Sequence, residues 1–170
     1  MSEDTVVTGN MIFTAQFDEV QRYKVTITNY TRDTVIYTNL QSGSYYLGEV
    51  MFTVKASQVL ALGIDKGDGT YTRMYCTPLD DGTYQYTLNV VDSDITFVVG
   101  FKGDFDLNGR VNSLDSTKVS RYKVGSFEID NAASLFIGNI DANKKINSLD
   151  STKISRYKVG TFSVEWDIKK

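Results

Sequence analysis

The sequence 110-RVNSLDSTKVSRYKVGSF-127 is repeated almost unchanged as 145-KINSLDSTKISRYKVGTF-162. Fourteen of the eighteen positions are identical at an offset of 35 residues, and the four differences are exchanges within a chemical class. An internal repeat this close indicates two copies of one supersecondary unit. With the residues before each copy, the repeats span about 104–127 and 139–162. They predict two units related by approximate twofold symmetry.

The residues that lead into the first copy place oxygen-bearing side chains at regular intervals. Counting Asp104 as position 1 of a loop, these fall at positions 1, 3, 5, 9 and 12, with Gly109 at position 6. In an EF-hand calcium loop with this spacing, about six to eight oxygens surround a hard cation and the glycine permits a sharp turn. Position 12 is Asp rather than the usual Glu. The predicted ligands, with position 7 acting through its main-chain carbonyl, are Asp104, Asp106, Asn108, Arg110, Asn112 and Asp115.

The second loop keeps the spacing but carries fewer charges. Its predicted ligands are Asn139, Asp141, Asn143, Lys145 (through its carbonyl), Asn147 and Asp150. It has two carboxylates where the first loop has three, and Lys144 replaces the glycine, which costs about 1 kcal/mol if the turn needs a positive φ. We therefore predict calcium in both loops, with weaker binding in the second. The alternative is a pair of Asp- and Asn-rich turns before two amphipathic helices, since both residues favour turns.

The two copies with their loops, GDFDLNGRVNSLDSTKVSRYKVG and GNIDANKKINSLDSTKISRYKVG, resemble dockerins. Dockerins are calcium-dependent modules that attach bacterial enzymes and scaffold proteins to cellulosome-type complexes by binding a cohesin. The resemblance covers about residues 102–162, and dockerins also have Asp at position 12. It implies an all-α C-terminal domain, 102–170, with two EF-hand-like loop–helix repeats. It also implies a secreted or cell-surface location and an indirect association with plant polysaccharide.

The resemblance further implies which residues bind the cohesin. On the first helix these are Ser113, Leu114, Lys118, Ser120 and Arg121, and on the second they are Ser148, Leu149, Lys153, Ser155 and Arg156. Because the two faces carry the same side chains, we expect a cohesin to dock in either of two orientations. The alternative is a pair of solvated helix faces with no partner.

Residues 1–101 are predicted to form a separate all-β domain. Short runs rich in β-branched and aromatic residues alternate with polar turns, a pattern typical of an antiparallel, immunoglobulin-like β-sandwich. The last run continues into Lys102 without a linker, which resembles the X-module–dockerin pairs of scaffold proteins. The predicted strands are 8–17, 22–30, 34–40, 49–56, 59–64, 70–77, 83–91 and 95–101.

The C-terminal part is predicted to contain three helices, at 113–124, 130–136 and 148–159. Gly125 follows the first helix, where glycine commonly ends one. The tail after Thr161 holds the only Trp, Trp166. We expect this tail to pack back on the dockerin-like part of the chain as a clasp; the alternative is that it frays.

Composition excludes several kinds of function. The chain has no His, so imidazole catalysis is excluded, and its single Cys cannot form an internal disulfide. It lacks a run of about 18 apolar residues, so no membrane span is predicted. Residues 1–100 carry 6 Lys and Arg against 12 Asp and Glu, whereas residues 101–170 carry 12 against 9. The basic helices suit an acidic protein partner, and a pI near 5.0 argues against nucleic acid. We predict a non-catalytic protein.

Two features of the β half suggest other functions. Asp65 and Asp68 offer a cation site, although a hairpin turn explains them equally well. A set of tyrosines could form a sugar-stacking platform, although tyrosines also alternate in any half-exposed sheet; they are Tyr45, Tyr46, Tyr71, Tyr75, Tyr84 and Tyr86. A carbohydrate-binding β-domain carried on a dockerin is thus the alternative function. A calcium sensor is disfavoured, because such sensors open a Met-rich groove and residues 101–170 contain no Met.

Overall fold

Nine β-strands and three helices form the described part of the chain. The computed structural model describes residues 20–32, 35–90, 92–143 and 145–169, so the predicted strand 8–17 lies outside it. The strands are β1 Tyr23–Asn29, β2 Ile36–Thr38, β3 Tyr45–Tyr46, β4 Gly48–Lys55, β5 Leu60–Asp65, β6 Tyr71–Arg73, β7 Cys76–Pro78, β8 Tyr84–Val90 and β9 Ile95–Phe101. The helices are α1 Ser113–Lys123, α2 Ala133–Ile137 and α3 Ser148–Lys158.

The strands form two sheets, ordered β3-β1-β9-β5-β6 and β2-β4-β8-β7. The expected purely antiparallel arrangement is wrong, because β1 and β9 pair in parallel, with Ile27 opposite Phe97. The sequence ITFVVGF of β9 gives the physical reason. A strand buried on both faces carries a nearly continuous apolar run, and β9 is buried from Phe97 to Phe101 between two neighbours.

The segment 70–77, predicted as one strand, forms two. β6 pairs with β5 in the five-stranded sheet, and β7 pairs with β8 in the four-stranded sheet. Met74 lies at the crossing, where its main-chain N–H donates to the carbonyl of Leu62 at 2.9 Å and its side chain is buried. Alternation of side chains along 70–77 does not reveal this change of sheet, because both halves keep the period of a strand.

Aromatic rings fill the space between the sheets. The ring of Phe52 stacks on Tyr86 with centroids 5.5 Å apart, and on Phe97 at 5.9 Å. All three side chains are almost completely buried. Buried aromatic side chains contribute large apolar areas and add about 0.5–1.5 kcal/mol per pair through ring geometry. These contacts hold β4 and β8 against β9.

Helix α2 covers the outer face of the five-stranded sheet. A Cβ atom on Gly63 would lie 2.5 Å from the ring of Phe136, and one on Gly100 would lie 2.7 Å from Cδ1 of Ile137. Both glycines therefore make room for side chains of α2. This contact adds a helical layer to the sandwich.

The prediction of a large all-α C-terminal domain is wrong. The protein is mostly β-sheet, and its described helices are short, with 11, 5 and 11 residues. Val119 of α1 and Ile154 of α3 belong to the same buried cluster as Phe97 of the sandwich. Helices this short enclose little apolar volume by themselves; α1 and α3 pack chiefly on each other, and α2 packs on β5 and β9. The division into domains 1–101 and 102–170 stays a prediction.

The C-terminal tail packs on the sandwich, and its Phe162 ring also lies under the Lys153 ammonium of α3, at 5.8 Å. The ring of Trp166 stacks on Tyr84 of β8 with centroids 3.8 Å apart. The N–H of Cys76 donates to the carbonyl of Asp167 at 2.8 Å, and the N–H of Lys169 donates to the carbonyl of Cys76 at 2.9 Å. Ile168 thereby forms a parallel bridge with Cys76, at the edge of the four-stranded sheet.

Candidate metal centre

Three carboxylates of the first loop converge on one point. One oxygen each from Asp104, Asp106 and Asp115 lies within 4.8 Å of the others. Asp104 and Asp115 are fully buried, and Asp106 is half-buried. Such a concentration of buried negative charge is costly unless a cation compensates it.

The loop's own backbone fixes these carboxylates. Asp104 accepts hydrogen bonds from the N–H of Gly109 at 2.7 Å and of Asn108 at 3.1 Å. Asp115 accepts from the N–H of Asn112 at 2.8 Å and of Asp106 at 3.1 Å. The bond between Asp115 and Asn112 is one half of a capping box at the start of α1. The start of the helix therefore sets the position of the twelfth-position carboxylate.

Burial makes the site a poor place for free carboxylates. It raises the pKa of Asp104 to about 7 and that of Asp115 to about 6. Burial also acts to raise the pKa of Asp106, but a hydrogen bond from Lys118 lowers it below its ordinary value. The Lys118 ammonium lies 2.9 Å from the Asp106 carboxylate. Lys118 is thus paired with one of the three carboxylates.

Asn108 supplies the clearest sign of a missing partner. Its Oδ1 atom is buried and accepts no hydrogen bond from any described residue. Buried polar atoms are almost always hydrogen-bonded, so each exception requires an explanation. Position 5 of a calcium loop directs such an oxygen at the ion. The first loop therefore fits a hard cation.

The second loop has the same framework with one amide, Asn139, in place of an acid. Asp150 accepts from the N–H of Asn147 at 2.8 Å and of Ile140 at 3.1 Å, and burial raises its pKa. Asn139 is 5% exposed; its amide donates to the carbonyl of Asn143, while its Oδ1 has no partner in the described chain. Each loop thus contains one orphaned amide oxygen, although at different positions.

Asp141 forms an ion pair with a lysine, as its counterpart Asp106 does in the first loop. Its carboxylate lies 2.6 Å from the Lys153 ammonium. Burial acts to raise the pKa of Asp141, but the hydrogen bond from Lys153 lowers it. Both loops therefore hold their third-position carboxylate with a lysine of the following helix.

Backbone geometry shows a feature that the sequence did not predict. Leu107 and Ala142, both at position 4, have positive φ values of 56° and 54°. This conformation costs a non-glycine residue about 1 kcal/mol, and it recurs in both loops. Gly109 also has a positive φ, of 78°, and the second loop's Lys144, expected to be strained at that position, lies outside the described residues.

In each loop, the side-chain amide at position 9 donates a hydrogen bond to the main-chain carbonyl at position 7. Asn112 donates from Nδ2 to the carbonyl of Arg110 at 3.3 Å, and Asn147 donates to the carbonyl of Lys145 at 3.0 Å. The Oδ1 atoms of both asparagines accept the N–H two residues later, at 2.8 Å, and so cap α1 and α3. These asparagines serve the helix starts as well as the loops.

Four serines join α1 to α3. The hydroxyl of Ser116 lies 2.7 Å from that of Ser155, and the hydroxyl of Ser120 lies 2.7 Å from that of Ser151. The pairs run in opposite directions along the two helices, so the helices are antiparallel. Exchanging the two helices exchanges one serine pair for the other. This equivalence is the approximate twofold relation that the repeat predicted.

The residues predicted to bind a partner divide into two groups. Lys118 and Lys153 are half-buried and bonded to their own loops. The others are exposed, including Leu114 at 47% and Leu149 at 58%; they are Ser113, Leu114, Ser120, Arg121, Ser148, Leu149, Ser155 and Arg156.

Two further apolar residues are exposed at the helix ends and were missed by sequence reasoning. Val124 and Val159 are 78% and 73% exposed at the ends of α1 and α3. The sequence signal for these residues was that both repeats have a valine directly before the glycine that ends the helix. With the leucines they give each repeat two exposed apolar side chains.

The predicted tyrosine platform is not assembled. Tyr86 is buried, Tyr84 is covered by Trp166, and Tyr71 packs against Phe136 with ring centroids 5.3 Å apart. Asp65 and Asp68 accept hydrogen bonds from the N–H groups of Gly67 at 2.8 Å and Thr70 at 2.9 Å, as in a hairpin turn. The described structure therefore favours the turn interpretation of these acids.

Comparisons of the chain with family models, curated proteins and solved structures give no match. Within the described residues, no helix has the length and apolar character needed to cross a membrane.

Proposed function

We propose that the chain is a non-catalytic, calcium-dependent protein-interaction module of the dockerin type. Calcium bound in both loops would hold α1 and α3 in place as a docking surface for a cohesin of a scaffold or cell-anchored protein. The observation that carries the proposal is the convergence of three carboxylates beside the orphaned Asn108 oxygen. Through the cohesin, the parent protein would join a cellulosome-type or cell-surface complex on plant polysaccharide.

The chemistry of the donors supports calcium. The candidate ligands are carboxylate, amide and carbonyl oxygens, which suit hard cations rather than zinc or copper. Magnesium demands a near-ideal octahedron and keeps several waters, whereas calcium accepts crowded and irregular oxygen cages. The buried position of Asp104 and Asp115 leaves little room for a hydrated magnesium ion.

The number of charges supports a stronger first site. The first loop brings three carboxylates and the second brings two, and affinity for calcium rises with ligand charge. Extracellular calcium modules bind in the range of about 10⁻⁴–10⁻³ M. Binding of this strength suits the secreted or cell-surface location that we propose.

The helix pair supports docking in two orientations. Its twofold relation repeats the exposed side chains of one helix on the other, with Leu114 matching Leu149 and Arg121 matching Arg156. A partner that recognises one set finds the same set after a rotation of about 180°. Exposed apolar side chains beside arginines are typical of protein interfaces.

The experiment is a calcium titration of the chelator-treated full chain by calorimetry, followed by a panel of cohesins with calcium or with chelator. We expect two binding events, the first tighter, and cohesin binding only with calcium. A matched variant, Asp104→Asn/Asp115→Asn, should lose the tighter event. Cohesin binding that persists in chelator would contradict the proposal, as would equal affinity for magnesium.

A further inference from the structure

The last described residues connect the sandwich to the second loop. We call 164–169 the strap. Trp166 of the strap stacks on Tyr84, and the strap's backbone bonds to Cys76. On its other side, the strap and the second loop enclose a cleft of about 310 Å³, lined by residues that include Lys102, Asp141, Lys153, Trp166 and Asp167. The strap therefore contacts both the β-sheets and the surroundings of one metal loop.

Asp167 is the centre of a small charge network in this cleft. It is 8% exposed, and its two oxygens lie 2.7 Å from the Lys102 ammonium and 2.6 Å from the Arg73 guanidinium. Lys102 also donates to the carbonyl of Glu165 at 2.9 Å. One buried carboxylate thus forms ion pairs with two basic side chains.

Lys102 has a second attractive carboxylate nearby. It is 4% exposed, and the Asp141 side chain lines the same cleft. A buried ammonium without an ion-pair partner is costly. If the Asp167 carboxylate were lost, Lys102 would therefore form an ion pair with Asp141 instead. Lys153 already occupies one oxygen of that carboxylate. A second ammonium there would compete directly with a bound cation.

We propose that Asp167 is a positioning residue for the second cation site: by holding Lys102, it keeps the Asp141 carboxylate available to the ion. This inference rests on the proposed binding of calcium in the second loop. The first loop offers a comparison, because its Asp106 is paired with Lys118 and lies apart from the residues that line the strap's cleft. Asp167 should therefore act on one loop only.

The test is a calcium titration of the full chain followed by NMR. The amide signal of Gly109 reports on the first loop, and that of Ala142 reports on the second. In Asp167→Asn we expect the affinity at Ala142 to fall about tenfold or more, as for other groups that orient metal ligands, with that at Gly109 unchanged. The matched control is Glu165→Gln, which removes the same charge from the exposed part of the strap and should leave both affinities unchanged.

A second substitution separates this role from a purely structural one. Replacing Lys102 by Met in the Asp167→Asn background removes the competing ammonium, so the affinity at Ala142 should recover. An unchanged affinity at Ala142 in Asp167→Asn would overturn the inference while leaving the proposed calcium sites intact. Failure of the double variant to recover would overturn it too. A different result would be that the unaltered chain binds calcium in neither loop. That result would overturn the proposed function itself.

Discussion

Trp166 lies flat against Tyr84, with ring centroids 3.8 Å apart and planes 18° apart. Replacing Trp166 by Ala should lower the free energy of unfolding by about 2 kcal/mol, because a large half-buried ring and its stacking partner are lost. Urea unfolding followed by circular dichroism measures this. Trp166→Phe keeps a ring at the position and should lose less. Equal midpoints for the Ala variant and the unaltered chain would show that the strap contributes no stability.

Gly100 should not tolerate a methyl group. Its φ lies outside the left-handed region, so the expected cost comes from the contact with Ile137, whose Cδ1 would lie 2.7 Å from the new Cβ. Overpacking of this kind costs about 1–3 kcal/mol. Thermal unfolding should therefore show a lower midpoint for Gly100→Ala. Shortening the opposing side chain in Gly100→Ala/Ile137→Ala makes room again. The double variant should therefore lower the midpoint by less than the two single variants do together, and a fall larger than their sum would contradict the packing account.

The metal-free chain should become less stable as pH rises from about 4 to 7. The folded pKa values of Asp104 and Asp115 are raised to about 7 and about 6, whereas an unfolded Asp titrates near about 3.9. Between these values the folded state binds more protons than the unfolded state, so the free energy of unfolding falls with rising pH, by about 1.4 kcal/mol for each unit by which a folded pKa exceeds the unfolded one.

Melting temperatures in chelator across this pH range test that expectation. Saturating calcium should reverse the trend, because calcium binds the ionised carboxylates. Asp104→Asn removes one titrating group and should flatten the chelator profile. A chelator profile that is flat between pH 5 and 7 would mean that the two carboxyls ionise freely in the folded state.

Single and double substitutions should separate the two docking orientations. Changing Arg121 or Arg156 alone to Ala leaves one complete face, so cohesin affinity should fall by about twofold or less. Changing both removes a guanidinium from each face and should weaken binding by at least tenfold, since truncated interface arginines commonly cost 1–2 kcal/mol or more. Calorimetry with calcium present measures both. A large loss from either single variant would argue for one orientation.

Local sequence patterns predicted the local structure well. The helices predicted at 113–124 and 148–159 lie at Ser113–Lys123 and Ser148–Lys158, since the signals for a helix lie close together in the chain. The convergence of Asp104, Asp106 and Asp115 likewise follows from the spacing within one loop. Calcium and its protein partner stay predictions.

Long-range pairing was beyond these patterns. The parallel pairing of β1 with β9, the seating of α2 over Gly63 and Gly100, and the bond between Cys76 and Asp167 join residues far apart in the chain. Hydrophobic period shows that a strand has a buried face but does not identify the element that covers it. The all-α domain was predicted for this reason: the helices and the strands were both recognised, but the buried cluster that they share was not.

The bridge between Ile168 and Cys76 also bears on solubility. β7 is the last strand of its sheet, and an uncovered sheet edge is a template for intermolecular strand pairing and fibril growth. By occupying the N–H and carbonyl of Cys76, the strap blocks that template where the edge is apolar. Proteolytic trimming of the last few residues would then favour self-association before any loss of calcium binding.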